Sequence, residues 1–340
     1  DPKNRFVARA AARFYIHIGD NERAAEIVRK TGFSRFDPWL MASDISIAMM
    51  RGKRSGNIKK GQQMIFSSSY TPFSISELAS ALGTVEMEYG TRKKSRDLFN
   101  QSLVDPNDNS LAQAEWAMIS ARIPITIQSG LNVKCSHESK VYKALELNDA
   151  RESIHHAIDW ICDMPFSLKP VFIGYEISTS LLRDYDLSSN ILGVGLKSHP
   201  NDPWMLNNRA YVNARINKLD EAEKDMEQLE HCNKALSESM SICKEATHGL
   251  IAYRRKDREK GRKLYEQAIL RASTMKENSE EIKVKAQINM LREEIIFSNY
   301  QNTSALMELE QLVIPNEKLE LVKLRNEVFD EMKKNEKNQG

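Results

Sequence analysis

The 340 residues are too many for one compact core, and a chain of this length ordinarily divides into two or three domains unless it is built of repeats that pack on their neighbours alone. An apolar share of 41% excludes wholesale disorder, while only 14 glycines and 10 prolines argue against a sheet protein with its frequent turns. Lys+Arg (49) nearly balances Asp+Glu (47) for a net charge of +2, so global charge predicts no affinity for nucleic acid or membranes.

The opening segment reads as two helices, with small residues Ala12 and Ala24 on either side of Tyr15 and the turn Gly19-Asp20. Arg5, Arg9, Arg13 and His17 recur every four residues and share a face of the first helix. Asp37-Pro38-Trp39 then caps and starts another helix, and the same string returns as Asp202-Pro203-Trp204. From Leu78 to Pro106 the pattern offers Leu82-Gly83, the turn Gly90, then Ser95, Phe99 and Ser102. Residues 123–139, IPITIQSGLNVKCSHES, lack any helical period and are expected to form an inserted loop, ordered or disordered. The helical reading resumes near Val141 and carries His155, His156, Asp159 and Cys162. Phe172 to Pro200 supplies Gly174, Asp184-Tyr185, Ser188, Leu192 and Gly195. The segment from Trp204 has Tyr211 and Ala222, and its first helix is about two residues too long for the pattern. The clearest copy runs from Ser241 to Ser273, with Gly249, the turn Lys256-Asp257, then Gly261, Tyr265 and Ala268. A long amphipathic helix is expected over 316–334, with Leu319, Leu321, Val322, Leu324, Val328, Phe329 and Met332 on one side.

This succession of small and aromatic residues resembles the tetratricopeptide repeat family, whose units of about 34 residues pack two helices each. The resemblance covers most of the chain in degenerate copies. It implies an all-α, right-handed α-solenoid of about eight helix pairs with a C-terminal capping helix. The organisation expected is repeats over 1–122, an inserted loop over 123–140, further repeats over 141–315, and a capping helix with a frayed tail over 316–340. The start at Asp1-Pro2, already close to a helical pattern, suggests a piece of a longer polypeptide.

In such a family the first helices line a concave groove that takes peptide segments. Arg5, Arg9, Arg13 and His17, with Arg209 and Asn213 further along, are the expected groove contacts, four donors in a row being able to grip carboxylates. The same stripe could instead face whatever precedes residue 1. Arg209 and Asn213 lack the alternating Lys/Asn set used by repeats that bind chaperone tails, which argues against that role. A second candidate is a basic ridge of inter-helix turns: Arg51, Lys53 and Arg54 with Lys59 and Lys60, then Arg92, Lys93, Lys94 and Arg96, then Arg254, Arg255 and Arg258. Solvated turn charge near helix C-termini is the plain alternative.

No glycine-rich phosphate loop, nucleophile elbow or metalloprotease helix motif occurs, so no enzyme and no cofactor is expected. Cys135, His137, His155, His156, Asp159 and Cys162 come nearest to a metal set, but the paired spacing of structural zinc sites is missing and no metal is expected. Cys135, Cys162, Cys232 and Cys243 form no CxxC pair, as in a reducing compartment. No apolar run of about 18 residues and no signal peptide occurs, so a cytoplasmic location is expected. The function implied is a non-catalytic interaction or sensor module, with a protein segment as partner, whether a separate protein or a neighbouring domain of the same polypeptide. A nucleic-acid-facing scaffold on the basic ridge is the alternative, as is a regulatory region for an effector domain outside this chain. Self-association stays open.

Overall fold

The computed structural model describes residues 4–67, 69–128, 131, 133–232, 236–275, 279–315 and 318–339, with side chains through 335. Among the described residues every regular element is helical. In chain order these are α1 (Arg5–His17), α2 (Asn21–Lys30), α3 (Pro38–Met50), α4 (Ile58–Ile65), α5 (Pro72–Tyr89), α6 (Arg92–Ser102), α7 (Asp108–Ser120), α8 (His137–Glu146), α9 (Ala150–Asp163) and α10 (Leu168–Glu176). They continue as α11 (Tyr185–Ser198), α12 (Pro203–Arg215), α13 (Leu219–Glu230), α14 (Glu238–Arg254), α15 (Arg258–Thr274), α16 (Ser279–Phe297), α17 (Thr303–Gln311) and α18 (Leu319–Gln339). The chain forms two compact units, 1–173 and 174–340, divided inside α10. Each is an α-solenoid segment in which a helix packs on those next to it in sequence. Among the described residues eight hairpins follow in sequence: α1–α2, α3–α4, α5–α6, α8–α9, α10–α11, α12–α13, α14–α15 and α16–α17, with α7 and α18 outside the pairing.

The hairpin turn is a repeated local device. Gly19, Asn148, Arg183 and Lys256 each take a positive φ and are each followed by an aspartate, Asp20, Asp149, Asp184 or Asp257. Each aspartate side chain accepts from a backbone N–H in the first turn of the next helix. The left-handed residue lets the chain reverse and satisfies the last carbonyls of one helix, and the aspartate caps the orphan donors of the other. Between turns, the helices meet at small residues. A Cβ on Gly249 would stand 2.9 Å from the Tyr265 ring, and one on Gly261 would stand 2.5 Å from the Tyr253 ring. Gly83 faces Phe99 in the same way at 3.2 Å, while Ser95 Oγ donates to the Gly83 carbonyl at 3.0 Å. In the α10–α11 hairpin, a π turn over Ile177–Leu181 ends the first helix and Ser178 Oγ meets Ser188 Oγ at 2.7 Å. Phe99 and Tyr265, both fully buried, are thereby seated as core side chains.

Of the insertion expected over 123–139, residues 123–136 pack where described as an extended strap rather than a loose loop, and 137–139 already belong to α8. Ile123 and Ile125 are buried against Phe99, Leu103, Leu111, Ala114 and Ala117, with Ile127, Leu131 and Val133 partly buried beside them. The strap covers with β-branched side chains a surface that a second helix covers elsewhere. Helix α8 then starts at His137, earlier than the expected resumption; residues 129, 130 and 132 lie outside the described residues.

The terminal helix is more than an end cap. Its apolar side, with Leu321, Leu324, Val328, Phe329 and Met332, joins the core of α16 and α17, although Leu319 is exposed. Its acidic side reaches back to the α10–α11 turn and to α12. Glu327 accepts from Arg215 Nη2 at 2.7 Å and from Tyr185 Oη at 2.7 Å, Glu331 accepts from Arg292 Nε at 3.1 Å, and Asp330 pairs with Arg183 at 2.7 Å. The Arg215 and Arg292 side chains are only 1% and 4% exposed. The expected start of this helix at 316 and 317 lies outside the described residues.

Two stability predictions follow from these contacts. Gly249→Leu should push α14 and α15 apart and cost about 1–3 kcal/mol, whereas Gly56→Ala, in open space, should change stability by less than about 0.5 kcal/mol. Glu327→Ala should cost about 3–5 kcal/mol by stranding the buried Arg215 charge. Urea midpoints of the variants measure both.

Candidate functional site

The arginine stripe of α1 faces the first helices of the next two hairpins. Arg5 Nη1 pairs with Asp37, the cap of α3, at 3.1 Å, and its guanidinium lies 4.8 Å from the Trp39 ring centre. Arg9 lies 4.4 Å from the same ring and is hydrogen-bonded to Glu77 of α5, which also accepts from Asn107 Nδ2 at 2.6 Å. Guanidiniums over an aromatic face gain from the ring quadrupole while staying partly hydrated. Arg13 donates to the Met164 thioether at 2.9 Å, and Phe14 meets Phe166 edge to face at 5.6 Å, so α1 also touches the segment after α9. His17 closes the stripe at the end of α1 with contacts of its own.

Trp39 is the centre of this face. It stacks edge to face on Phe6 at 5.9 Å and on Phe73 at 5.7 Å. Its Nε1 is buried and has no hydrogen-bond partner among the described residues. Beside it opens a cavity of about 350 Å³ lined by Arg5, Phe33, Phe36, Asp37, Trp39 and Tyr70, among others. Phe36 is 63% exposed and Phe6 58%, with Phe33 and Phe73 also open to solvent. Lys60 Nζ sits 4.0 Å over the Phe36 ring. Sequence reasoning marked Arg5 but missed Phe33, Phe36 and Tyr70, which lie in turns outside the helical pattern. The available signal was two phenylalanines in the short non-helical string before Asp37.

Arg209 and Asn213, expected as groove contacts, are engaged between helices. Arg209 Nε donates to Asp225 of α13 at 2.8 Å, and Asn213, 3% exposed, accepts from Ser189 of α11 at 2.7 Å. They do not extend a row of free donors.

The expected basic ridge does lie on hairpin turns and first turns of second helices, but most of its arginines have partners. Arg51 pairs with Glu22, Arg96 with Asp97, Arg254 with Glu293, Arg255 with Asp220 and Glu223, and Arg258 with Glu294. Arg92 donates to the carbonyls of Ala121 and Arg122 at 2.9 and 2.7 Å, anchoring the strap. The side chains of Lys53, Arg54, Lys93 and Lys94 are exposed. Carboxylates interleaved with the arginines leave a surface of mixed sign, which suits a phosphate backbone poorly.

The histidine region is drawn together more closely than its spacing suggested. His137, heading α8, and His156 and Asp159 of α9 bring one ring nitrogen each and a carboxylate oxygen within 4.8 Å of one another. Burial holds His156 below the usual imidazole range against the opposing pull of Glu152. Cys135 and Cys162 are exposed and stand outside this group.

No family model matches the chain, and no curated protein matches it. Among solved structures it is similar to a tetratricopeptide repeat protein from Parabacteroides merdae, at 14% identity over 82% of this chain and 97% of that one, with a TM-score of 0.34. No helix among the described residues is long and apolar enough to cross a membrane.

Glu115 of α7 is a further buried acid of unit 1. It is 4% exposed, and its Oε2 has no hydrogen-bond partner among the described residues. Burial raises its pKa to about 7 from 4.5, against the opposing effects of the Ser139 bond and the Lys143 charge. The fold therefore favours the neutral acid. That contribution is fully present below about pH 4.5 and is lost as pH rises through about 7. Glu115→Gln should raise stability by about 3 kcal/mol at pH 8 and have little effect at about pH 4, read from urea midpoints at the two pH values.

Proposed function

We propose that this chain is a non-catalytic interaction module, and that a protein segment docks on the arginine–aromatic face of α1 and α3. The segment offers a large apolar or aromatic side chain to the cavity beside Trp39, a carboxylate to the Arg5 guanidinium at its lip, and a second carboxylate about two helical turns on to Arg13. The observation that carries this reading is the cavity itself. Its volume is that of a small-ligand or side-chain pocket, its walls are aromatic, and its lip exposes large apolar rings that a surface without a partner seldom shows. Aromatic and arginine side chains are also the residues that dominate binding energy at protein interfaces. Arg5 is paired with Asp37 at the surface, where such pairs are weak and exchange readily for an incoming carboxylate.

Within unit 2 the same fold already holds an amphipathic helix, α18, by carboxylates on one of its faces, which meet arginines on α12 and α16. That arrangement supports a preference for segments that present carboxylates on one face, from another protein or from the same polypeptide. A role in sensing or in holding an effector domain rests on analogy with helical-repeat proteins that sit beside such domains. The paired ridge arginines favour a protein partner over nucleic acid.

Selection of a random peptide library displayed against the folded chain tests the reading. Enriched peptides should carry an aromatic or large aliphatic residue close to Asp or Glu. They should bind the native chain roughly tenfold more tightly than Phe36→Ser or Arg5→Glu variants of equal helical content. Absence of enrichment, or equal binding to both variants, would remove this cavity as the docking site.

A further inference from the structure

We propose that His137, His156 and Asp159 form a binding site for a divalent transition-metal ion of the zinc class, joining α8 to α9. The three ligand atoms lie within 4.8 Å of one another, and His137 Nδ1 is 3.8 Å from Asp159 Oδ2. Ligands about 2.0–2.1 Å from a tetrahedral zinc ion stand roughly 3.3–3.5 Å apart, so small side-chain rotations close the set. Two imidazoles and one carboxylate suit this ion class, and three protein ligands with an open fourth position are a familiar arrangement for it.

A second, independent observation points to a ligand. The Nδ1 atoms of both His137 and His156 are buried with no hydrogen-bond partner among the described residues. Buried polar atoms of this kind are uncommon and cost free energy unless something satisfies them. His156 Nε2 stands 3.0 Å from the Glu152 carboxylate. With the Nε2–H tautomer turned toward that carboxylate, Nδ1 is the nitrogen left to coordinate, the outer carboxylate–histidine arrangement found around metal-bound imidazoles. Spacing on the chain supports it as well: Glu152, His156 and Asp159 fall at i, i+4 and i+7 of one helix and present one face. His155 Nε2, 3.8 Å from the same Asp159 oxygen, borders the remaining coordination position. Lys140 adds a repulsive charge near His156, which the carboxylates of Glu152 and Asp159 oppose.

An ion here would tie the start of α8, immediately after the strap, to the middle of α9. It would act as a staple between the two helices of a hairpin whose neighbour, α7, packs on α8 but stands outside the hairpin pairing.

The test uses the full chain stripped with a chelator and titrated with Co²⁺. One equivalent should bind with visible d–d absorption and be displaced by Zn²⁺. His156→Ala and the milder Asp159→Asn should abolish the absorption at unchanged helical content, and Glu152→Gln should weaken binding roughly 10–100-fold. A Cys135→Ser, Cys162→Ser double variant should behave as the native chain. Absence of cobalt absorption in the folded chain would overturn the proposal. So would absorption that survives both His156→Ala and Asp159→Asn, or absorption that is lost in the double cysteine variant.

Discussion

Two helices of a hairpin can share a core only where something small sits at their crossing, and the rest of this structure depends on that approach. At Gly249 and Gly261 the backbones come so near that a single added carbon on either would overlap a tyrosine ring. Gly83 against Phe99 repeats the arrangement in unit 1, and buried Ala210 and Ala222 stand in the corresponding places of α12 and α13. Close backbones bring the aromatic side chain of the second helix over the first, where it fills the space that the next hairpin then covers. Once the hairpins are this thin, consecutive first helices line up side by side. Arg5 and Arg9 of α1 can then meet Trp39 of α3 and Glu77 of α5 on one continuous face.

The second constraint is polar. In unit 2, Arg215, Arg254 and Arg292 extend from first helices into a region shared with Glu293, Glu327 and Glu331. Tyr185 and Tyr211 add hydroxyls to it, Tyr211 accepting from Arg215 at 2.9 Å and donating to Asn289 at 3.0 Å. Burying several charges together is tolerable only when each has a partner of fixed geometry, which gives directional specificity that an apolar seam lacks. Helix α18 is thus held in one register by carboxylates on one side and by Leu321 and Val328 on the other.

The local chemistry of the hairpins was legible from residue order, because caps, turns and small-residue crossings act within a few dozen positions. Gly19-Asp20 and Lys256-Asp257 announced their turns, and Gly83, Gly249 and Gly261 their crossings. Partnerships across hairpins were not legible. Arg92 read as one cation among several, yet it holds the strap through two carbonyls 29 and 30 residues away. Arg258 finds Glu294 and Arg215 finds Glu327 over still longer separations. The strap lacked a helical period, and period alone carried no sign that Ile123 and Ile125 would be buried. The Trp39 cavity was half legible: its arginine lies on a periodic stripe, whereas Phe33, Phe36 and Tyr70 come from turns that follow no period.

The seat of α18 also imposes an order on synthesis. Arg215 leaves the ribosome well before Glu327, which lies 112 residues downstream. Throughout that interval the nascent α12 carries a cation that its finished surroundings would enclose, so water must keep access to it. Unit 2 can assume its packed form only when α18 has emerged. Until then α18 is the missing piece, and its Glu327 carboxylate is what finally encloses the Arg215 charge.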